Sequence, residues 1–319
     1  MPRNKSVDYR LLLKVSKYYY EKQLTQQEIS ERLNLSRPKV SRLLKQAEEI
    51  GIVKISIIPQ PGIHTDLEDA LERTYGLKEA VVVEVSDPNS QYAVSREVGA
   101  AAADYFSQSV SNPSVIGISW GTTLQAMVDA LRSQDFRESQ VVQLIGGLGK
   151  PESEAHATYI LRRLVEKTGA QLSILNVPGI VDNTAVKIAL MSDSHLKEVF
   201  NYFENIDVAF VGVGTPTPDS VVMRDGTILT QDQLEYLLSQ GAVGDICLRF
   251  FDERGNIIHS EIDERVLGIT LEQIQKIDRV VGVTGGPFKD KAIRAALLGK
   301  LVNVLITDHL SAKKLLKEA

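Results

Sequence analysis

Thr25-Gln26-Gln27-Glu28-Ile29-Ser30-Glu31-Arg32-Leu33-Asn34-Leu35-Ser36-Arg37-Pro38-Lys39-Val40-Ser41-Arg42-Leu43-Leu44 decides how the first part of this 319-residue chain folds. Thr25 followed three residues later by Glu28 is a capping-box pattern, in which each side chain satisfies a free N–H at the start of a helix. Ile29 and Leu33 give that short helix its inward face, and Asn34-Leu35 supplies the turn. Ser36 is placed to cap a further helix. Pro38 falls in the first turn of that helix, where its missing N–H costs nothing. Val40, Leu43, Leu44 and Ala47 recur at the spacing of one helical face. Upstream, Leu11, Leu12, Val15, Tyr18 and Tyr19 predict an amphipathic helix over residues 8–22. Gly51 closes the unit's last helix, and residues 53–58 alternate like a strand.

Two short helices joined by a tight turn, the second opening on basic and hydroxyl side chains, form a helix-turn-helix. The N-terminal end of the second helix enters the major groove in such motifs. Arg37, Lys39, Ser41 and Arg42 are therefore expected to face DNA, with Thr25, Gln26 and Ser36 at the flanking helix starts. Arginine can pair bidentately with guanine, whereas lysine and serine hold phosphates. Charge agrees with this reading. The first 60 residues hold 12 Lys+Arg against 6 Asp+Glu, while the remaining 259 hold 24 against 35. A basic end on an acidic body directs only the first segment toward a polyanion.

Working outward, Pro59-Gln60-Pro61-Gly62 interrupts the pattern and marks a boundary. The expected division is a DNA-binding domain over 1–58, a linker over 59–64 and a second domain over 65–319. In that second domain, apolar runs at 80–85, 115–118, 141–145, 172–175, 208–213, 280–283 and 302–306 alternate with helical patterns. These include 91–107, 122–132, 155–168 and 289–298. Continuous apolar strands separated by helices predict an α/β fold with a mostly parallel sheet covered on both faces. Ligands in such folds sit where strand ends meet helix N-termini. Ser119-Trp120-Gly121-Thr122-Thr123 is such a loop, and its glycine, hydroxyls and free N–H groups suit a phosphate. No Walker A or GxGxxG pattern is present, which argues against a nucleotide.

A single cysteine, Cys247, excludes an intrachain disulfide framework. Cys247 lies in an apolar run and is expected to be a small buried hydrophobe. Asp245 could cap a turn or pair with Arg249, and the acids at 252–253 and 261–264 read as solvated loop charge. No apolar run is long enough to span a bilayer, and the charged N-terminus lacks a secretory signal core. A cytoplasmic location is expected. No His/Asp/Glu spacing suggests a metal site, and neither metal nor cofactor is expected.

These segments together resemble the SorC/DeoR-type family of sugar-responsive bacterial transcriptional regulators. The DNA-binding unit is similar through Tyr18-Tyr19-Tyr20, residues 24–30 and residues 36–44. The body is similar at residues 117–123, Gln143-Leu144-Ile145-Gly146-Gly147, residues 241–246 and Gly285-Gly286-Pro287-Phe288-Lys289. The resemblance implies an all-α helix-turn-helix domain followed by a Rossmann-like, sugar-isomerase-like α/β effector domain without enzymatic activity. It implies operator DNA and a phosphorylated sugar as partners, no membrane, and assembly as a homodimer or homotetramer. By position, Ser119, Gly121, Thr122 and Thr123 would hold the effector phosphate. Gln143, Gly146 and Gly147 would line the sugar pocket, with Asp245 and Lys289 meeting hydroxyls or phosphate. His156 is a further candidate contact, and Trp120 is expected to pack. One branch of the family uses a lysine in the 143–147 motif to attack an aldehyde effector, but Ile145 stands between Leu144 and Gly146 here. The implied role is a repressor of a carbohydrate-catabolism operon. The alternatives are a sugar-phosphate isomerase-like enzyme with an accessory DNA-binding domain, and a nucleotide sensor.

Overall fold

A computed structural model describes residues 8–55, 60, 62–147, 151–218, 220 and 228–318, with the backbone alone for 151–157. The chain divides into two compact units, Met1–Pro59 and Gln60–Ala319.

In the first unit, α1 (Tyr9–Ser16) continues into a wider π-helical turn over Lys17–Glu21. Next come α2 (Gln26–Leu33) and α3 (Arg37–Glu49). The capping box forms as expected: Thr25 Oγ1 accepts from the Glu28 amide at 3.3 Å, and Glu28 Oε2 accepts from the Thr25 amide at 2.8 Å. Asn34 ends α2 in the left-handed conformation at φ 51°, which asparagine tolerates better than most residues. The Ser30 hydroxyl donates to the Leu35 carbonyl and fixes the turn. Val15, Ile29, Val40 and Leu44 close the small core. Residues 53–55 form no strand, and residues 56–58 of the expected strand lie outside the described residues.

The second unit begins with α4 (Thr65–Tyr75), β1 (Glu79–Val83), α5 (Gln91–Ser109), β2 (Val115–Ile118) and α6 (Thr122–Ala130). It continues with β3 (Gln140–Gln143), α7 (Pro151–Thr168), β4 (Gln171–Ser173), α8 (Thr184–Met191) and α9 (Ser194–Tyr202). Then follow β5 (Val208–Val211), α10 (Gln231–Ser239), the pair β6 (Gly244–Ile246) and β7 (Arg249–Phe251), and α11 (Leu271–Ile274). It ends with β8 (Arg279–Val283), α12 (Asp290–Leu298), β9 (Val304–Asp308) and α13 (His309–Lys317). Residues 60 and 62–64, expected in the linker, belong to this unit, and Ile63 bridges Val83.

Seven strands form one sheet in the order β1-β9-β8-β5-β2-β3-β4, and every pairing in it is parallel. Apolar side chains fill both faces, with Ile116, Ile118, Phe210 and Val281 on one side and Val142, Ala209, Val211 and Val280 on the other. From β2 the chain winds outward through β3 to β4; from β5 it winds the opposite way through β8 to β9. The direction of winding therefore reverses between the adjacent strands β2 and β5, and the crevice beyond their carboxyl ends is the topological switch point.

The β6–β7 hairpin is an addition to the expected pattern. Its two turn residues, Cys247 and Leu248, both have positive φ, 54° and 60°. Asparagine and glycine normally fill such positions, so this buried turn carries backbone strain. The acids at 261–264 are also not uniformly solvated. Asp263 receives a 2.7 Å ion pair from Arg249, whose buried guanidinium also donates to the carbonyls of Asp263 and Ile269. Arg249 thus pairs with Asp263 and not with Asp245.

Candidate DNA interface and effector site

Ser36, Arg37, Lys39, Ser41 and Arg42 are all exposed along the N-terminal half of α3. Their burial complement, Val40, Leu44 and Ala47, faces inward, so one helix presents a basic edge and an apolar edge. Arg42 Nε reaches the Pro38 carbonyl at 3.4 Å, a weak contact that leaves its guanidinium tip available. Thr25, Gln26 and Arg37 share an open groove of about 720 Å³ with Tyr19, Tyr20 and Gln23. Behind the groove, Tyr20 donates to Glu48 at 2.6 Å. That bond and burial push the Tyr20 phenol up to about 12, so it remains a donor near neutral pH.

In the second unit, the switch point is built around the short loop after β5. The Gly212 amide donates to Ser119 Oγ at 3.3 Å, and the Ser119 amide donates to the Phe210 carbonyl at 3.1 Å. Ser119 thereby couples the end of β2 to the end of β5. Next along the loop, Lys289 Nζ donates to the Val213 carbonyl at 3.1 Å. Gly214 then exchanges backbone hydrogen bonds with Asp245. Ser119, Asp245 and Lys289, distant in sequence, thus all contact residues 212–214. Burial pushes the Asp245 carboxyl up to about 6, opposed by the Leu248 amide and by Lys289. Burial also depresses Lys289, while Asp245 pulls it back up. Burial pushes the Cys247 thiol up; Asp245 adds to the rise, while Arg249 and a hydrogen bond with Ser119 oppose it.

Helix α6 starts at the same crevice. Gly121 is its N-cap, and no side chain caps the helix. A β-carbon on Gly121 would meet no atom within 4 Å, so the space beside this N-cap residue is open. Thr122 is exposed there. Thr123 is turned away and buried, with Oγ1 3.3 Å from Ser95 Oγ. Two buried polar atoms in these loops, Trp120 Nε1 and Thr284 Oγ1, have no hydrogen-bond partner among the described residues.

The remaining expected residues sit to one side. Gln143 is buried and held by backbone: its amide donates to the Ile145 carbonyl at 2.7 Å and accepts from the Leu175 amide at 3.0 Å. Gly146 and Gly147 pack on residues 177–179; a β-carbon on Gly146 would fall 2.5 Å from the Val177 carbonyl oxygen. The side chain of His156 lies outside the described residues. A smaller cleft of about 240 Å³ is lined by Lys187, Phe200, Arg249 and Thr270 among others, and by none of the expected effector residues.

Supporting residues that sequence reasoning missed are Gln91, Ser95 and Asp308. The Gln91 amide donates to the Gly285 carbonyl and to Ser95 Oγ. Asp308 Oδ2 accepts from the Gly286 amide at 2.7 Å and from the Ser311 hydroxyl. Gly286 has φ 105°, and a β-carbon there would strike Gln91. The 285–289 loop is therefore moulded by α5 and by the end of β9.

A helix-turn-helix with an exposed basic edge, joined to a parallel α/β domain with a polar switch point, defines a ligand-responsive DNA-binding protein. A sugar-binding domain family matches residues 61–317, and a winged helix-turn-helix DNA-binding family matches residues 20–54. The chain belongs to the SorC/DeoR family of sugar-binding transcriptional regulators. It is 33% identical over 310 residues to the deoxyribonucleoside regulator of Bacillus subtilis (strain 168), covering 97% of this chain and 98% of that one. It is 32% identical over 319 residues to the sorbitol operon regulator of Klebsiella pneumoniae, covering 98% and 99%. The crystal structure of full-length SorC from Klebsiella pneumoniae matches with a TM-score of 0.74 at 30% identity, covering 96% of this chain and 98% of that one. These relatives are regulators of transcription and not enzymes, which sets aside the isomerase alternative. Among the described residues no helix is long and apolar enough to cross a membrane.

Proposed function

We propose that this chain is a homo-oligomeric repressor of a carbohydrate-catabolism operon, released from its operator by a phosphorylated sugar bound at the β2–β5 switch point. The observation that carries the reading is the uncapped start of α6, with open space at Gly121. An unsatisfied helix N-terminus attracts an anion through its free N–H groups and the helix dipole. Ser119, Thr122 and Lys289 supply further donors around it. Asp245 is an acceptor suited to sugar hydroxyls, and Gln143, Gly146 and Gly147 shape the neighbouring wall. Thr123 supports the loop through Ser95.

Arg37, Lys39, Ser41 and Arg42 meet the operator, with Thr25, Gln26 and Ser36 at the backbone. One recognition helix reads few base pairs, so two or more copies acting on a symmetric operator suit the function. The effector acts by binding one arrangement of the copies more tightly than the other.

Thermal unfolding of the full chain against matched phosphorylated and free sugars and polyols tests the pocket, with the sugar of deoxyribonucleosides and sorbitol among them. A ligand of the folded state at 100 times its dissociation constant adds about 2.7 kcal/mol. A phosphorylated compound that raises the midpoint, while its free form does not, supports the reading. A response to free sugars alone overturns the phosphate assignment.

A further inference from the structure

Away from the switch point, three side chains from distant parts of the chain converge at one corner of the sheet. His64 lies just before α4, Glu84 just after β1, and His309 opens α13 directly after β9. His64 Nε2 is 2.5 Å from Glu84 Oε2, and His309 Nε2 is 3.7 Å from Glu84 Oε1. The two imidazoles stack with centroids 5.6 Å apart and planes 15° from parallel. One ligand atom from each residue can be chosen so that all lie within 4.8 Å of one another. No other group of three or more His, Cys, Asp or Glu among the described residues does this.

We propose that His64, Glu84 and His309 form a binding site for a divalent transition-metal ion of the zinc class. Two imidazoles and a carboxylate are a donor set that suits zinc, with a fourth position left to water. Metal–ligand bonds of about 2.0–2.1 Å at tetrahedral angles put donor atoms about 3.4 Å apart. The His309–Glu84 separation is already near that value. The short His64–Glu84 contact is a hydrogen bond, and a cation takes the place of its proton while the ring carries its own on Nδ1. His309 makes the same tautomeric change. It loses the 3.4 Å bond from the Val85 amide to Nδ1, which is at the weak end of hydrogen bonding, and the ring must turn slightly so that Nδ1–H no longer faces that N–H. Glu84 is half exposed and open to an arriving ion, whereas His309 is buried and held in place. Besides the two imidazoles, the charge of Lys313 on α13 acts on Glu84; its flexible stem lets it swing away. A bound ion would tie the chain's entry into the α/β unit to the last strand–helix corner.

The test is a Co²⁺ titration of the untagged, chelator-treated full chain, read by visible d–d absorption. A saturating spectrum with one ion per chain, displaced by Zn²⁺ and lost in His64→Ala and Glu84→Gln, is the expected result. Circular dichroism of both variants checks their folding. His309→Asn, which keeps a polar group at the buried position, provides a third variant. No spectrum in the wild type, or one undiminished by all three substitutions, overturns the proposal.

Discussion

Lys289 Nζ donates to the Val213 carbonyl while Asp245 pairs through its backbone with Gly214, the next residue in the same loop. The Lys289 side chain and the Asp245 backbone thus hold neighbouring residues of one loop. Among the described residues, the Asp245 carboxylate accepts from the Leu248 amide at 3.3 Å and Lys289 Nζ donates to the Val213 carbonyl, which leaves further capacity on both groups. Lys289→Met keeps the stem and removes the donor. It is expected to leave operator affinity unchanged and to reduce the affinity for a phosphorylated effector by at least tenfold, about 1.4 kcal/mol. Calorimetric titration together with a gel-shift assay separates the two effects; a parallel loss of both would point to misfolding.

Asp245 also gives a pH dependence of defined sign. Its pKa rises from the ordinary 3.8 to about 6 on folding. The folded state therefore holds this proton more tightly than the unfolded state. The contribution is full below about pH 4 and is lost as pH rises through about 6, amounting to about 3 kcal/mol at most. Urea unfolding between pH 4 and 7 should show a smaller decline in stability with pH for Asp245→Asn than for the wild type. Equal slopes would place the titration elsewhere.

At the DNA end, Lys39 is expected to contact phosphate and Arg42 a base or phosphate. Lys39→Ala should weaken binding across sequences and reduce the salt slope by roughly one, because one fewer counterion is released. Operator affinity measured at several salt concentrations reads this directly. An unchanged slope removes Lys39 from the interface.

The Arg249 guanidinium is buried, with Asp263 and backbone carbonyls as its acceptors. Arg249→Met deletes those donors and leaves the acceptors in a desolvated site. A loss of about 3 kcal/mol or more in unfolding free energy is expected, seen as a lower urea midpoint. A midpoint at the wild-type value would mean that water replaces the guanidinium without cost.

Much of the architecture was legible because it rests on local periodicity. The capping box at Thr25 and Glu28, the proline in the first turn of α3 and the apolar strands each announce themselves within a few residues. The β6–β7 hairpin did not, because Cys247 and Leu248 occupy positive-φ turn positions without turn chemistry. Thr123 was grouped with Thr122, yet one helical step of about 100° carries it from the open crevice to Ser95. Gln143 and Gly146 lie in a motif whose close packing cannot be told from ligand contact in one dimension. His64 and His309 are separated by most of the chain, so spacing could not join them; only the pairing of β1 with β9 does.

That pairing has a consequence for synthesis. Among the described residues, β1 comes first in chain order of the sheet's strands and lies at its edge, and its strand neighbour is β9, which comes last. β8 likewise waits for β9 on one side. As the chain leaves the ribosome, β1 has no strand beside it in the sheet and β8, already next to β5, keeps one open side until residues 304–308 emerge, so the α/β unit must complete its fold late. The DNA-binding unit has its own core and precedes the α/β unit in the chain. A chain cut just before residue 304 would therefore lose the strand that joins β1 to the rest of the sheet, while keeping every candidate DNA contact.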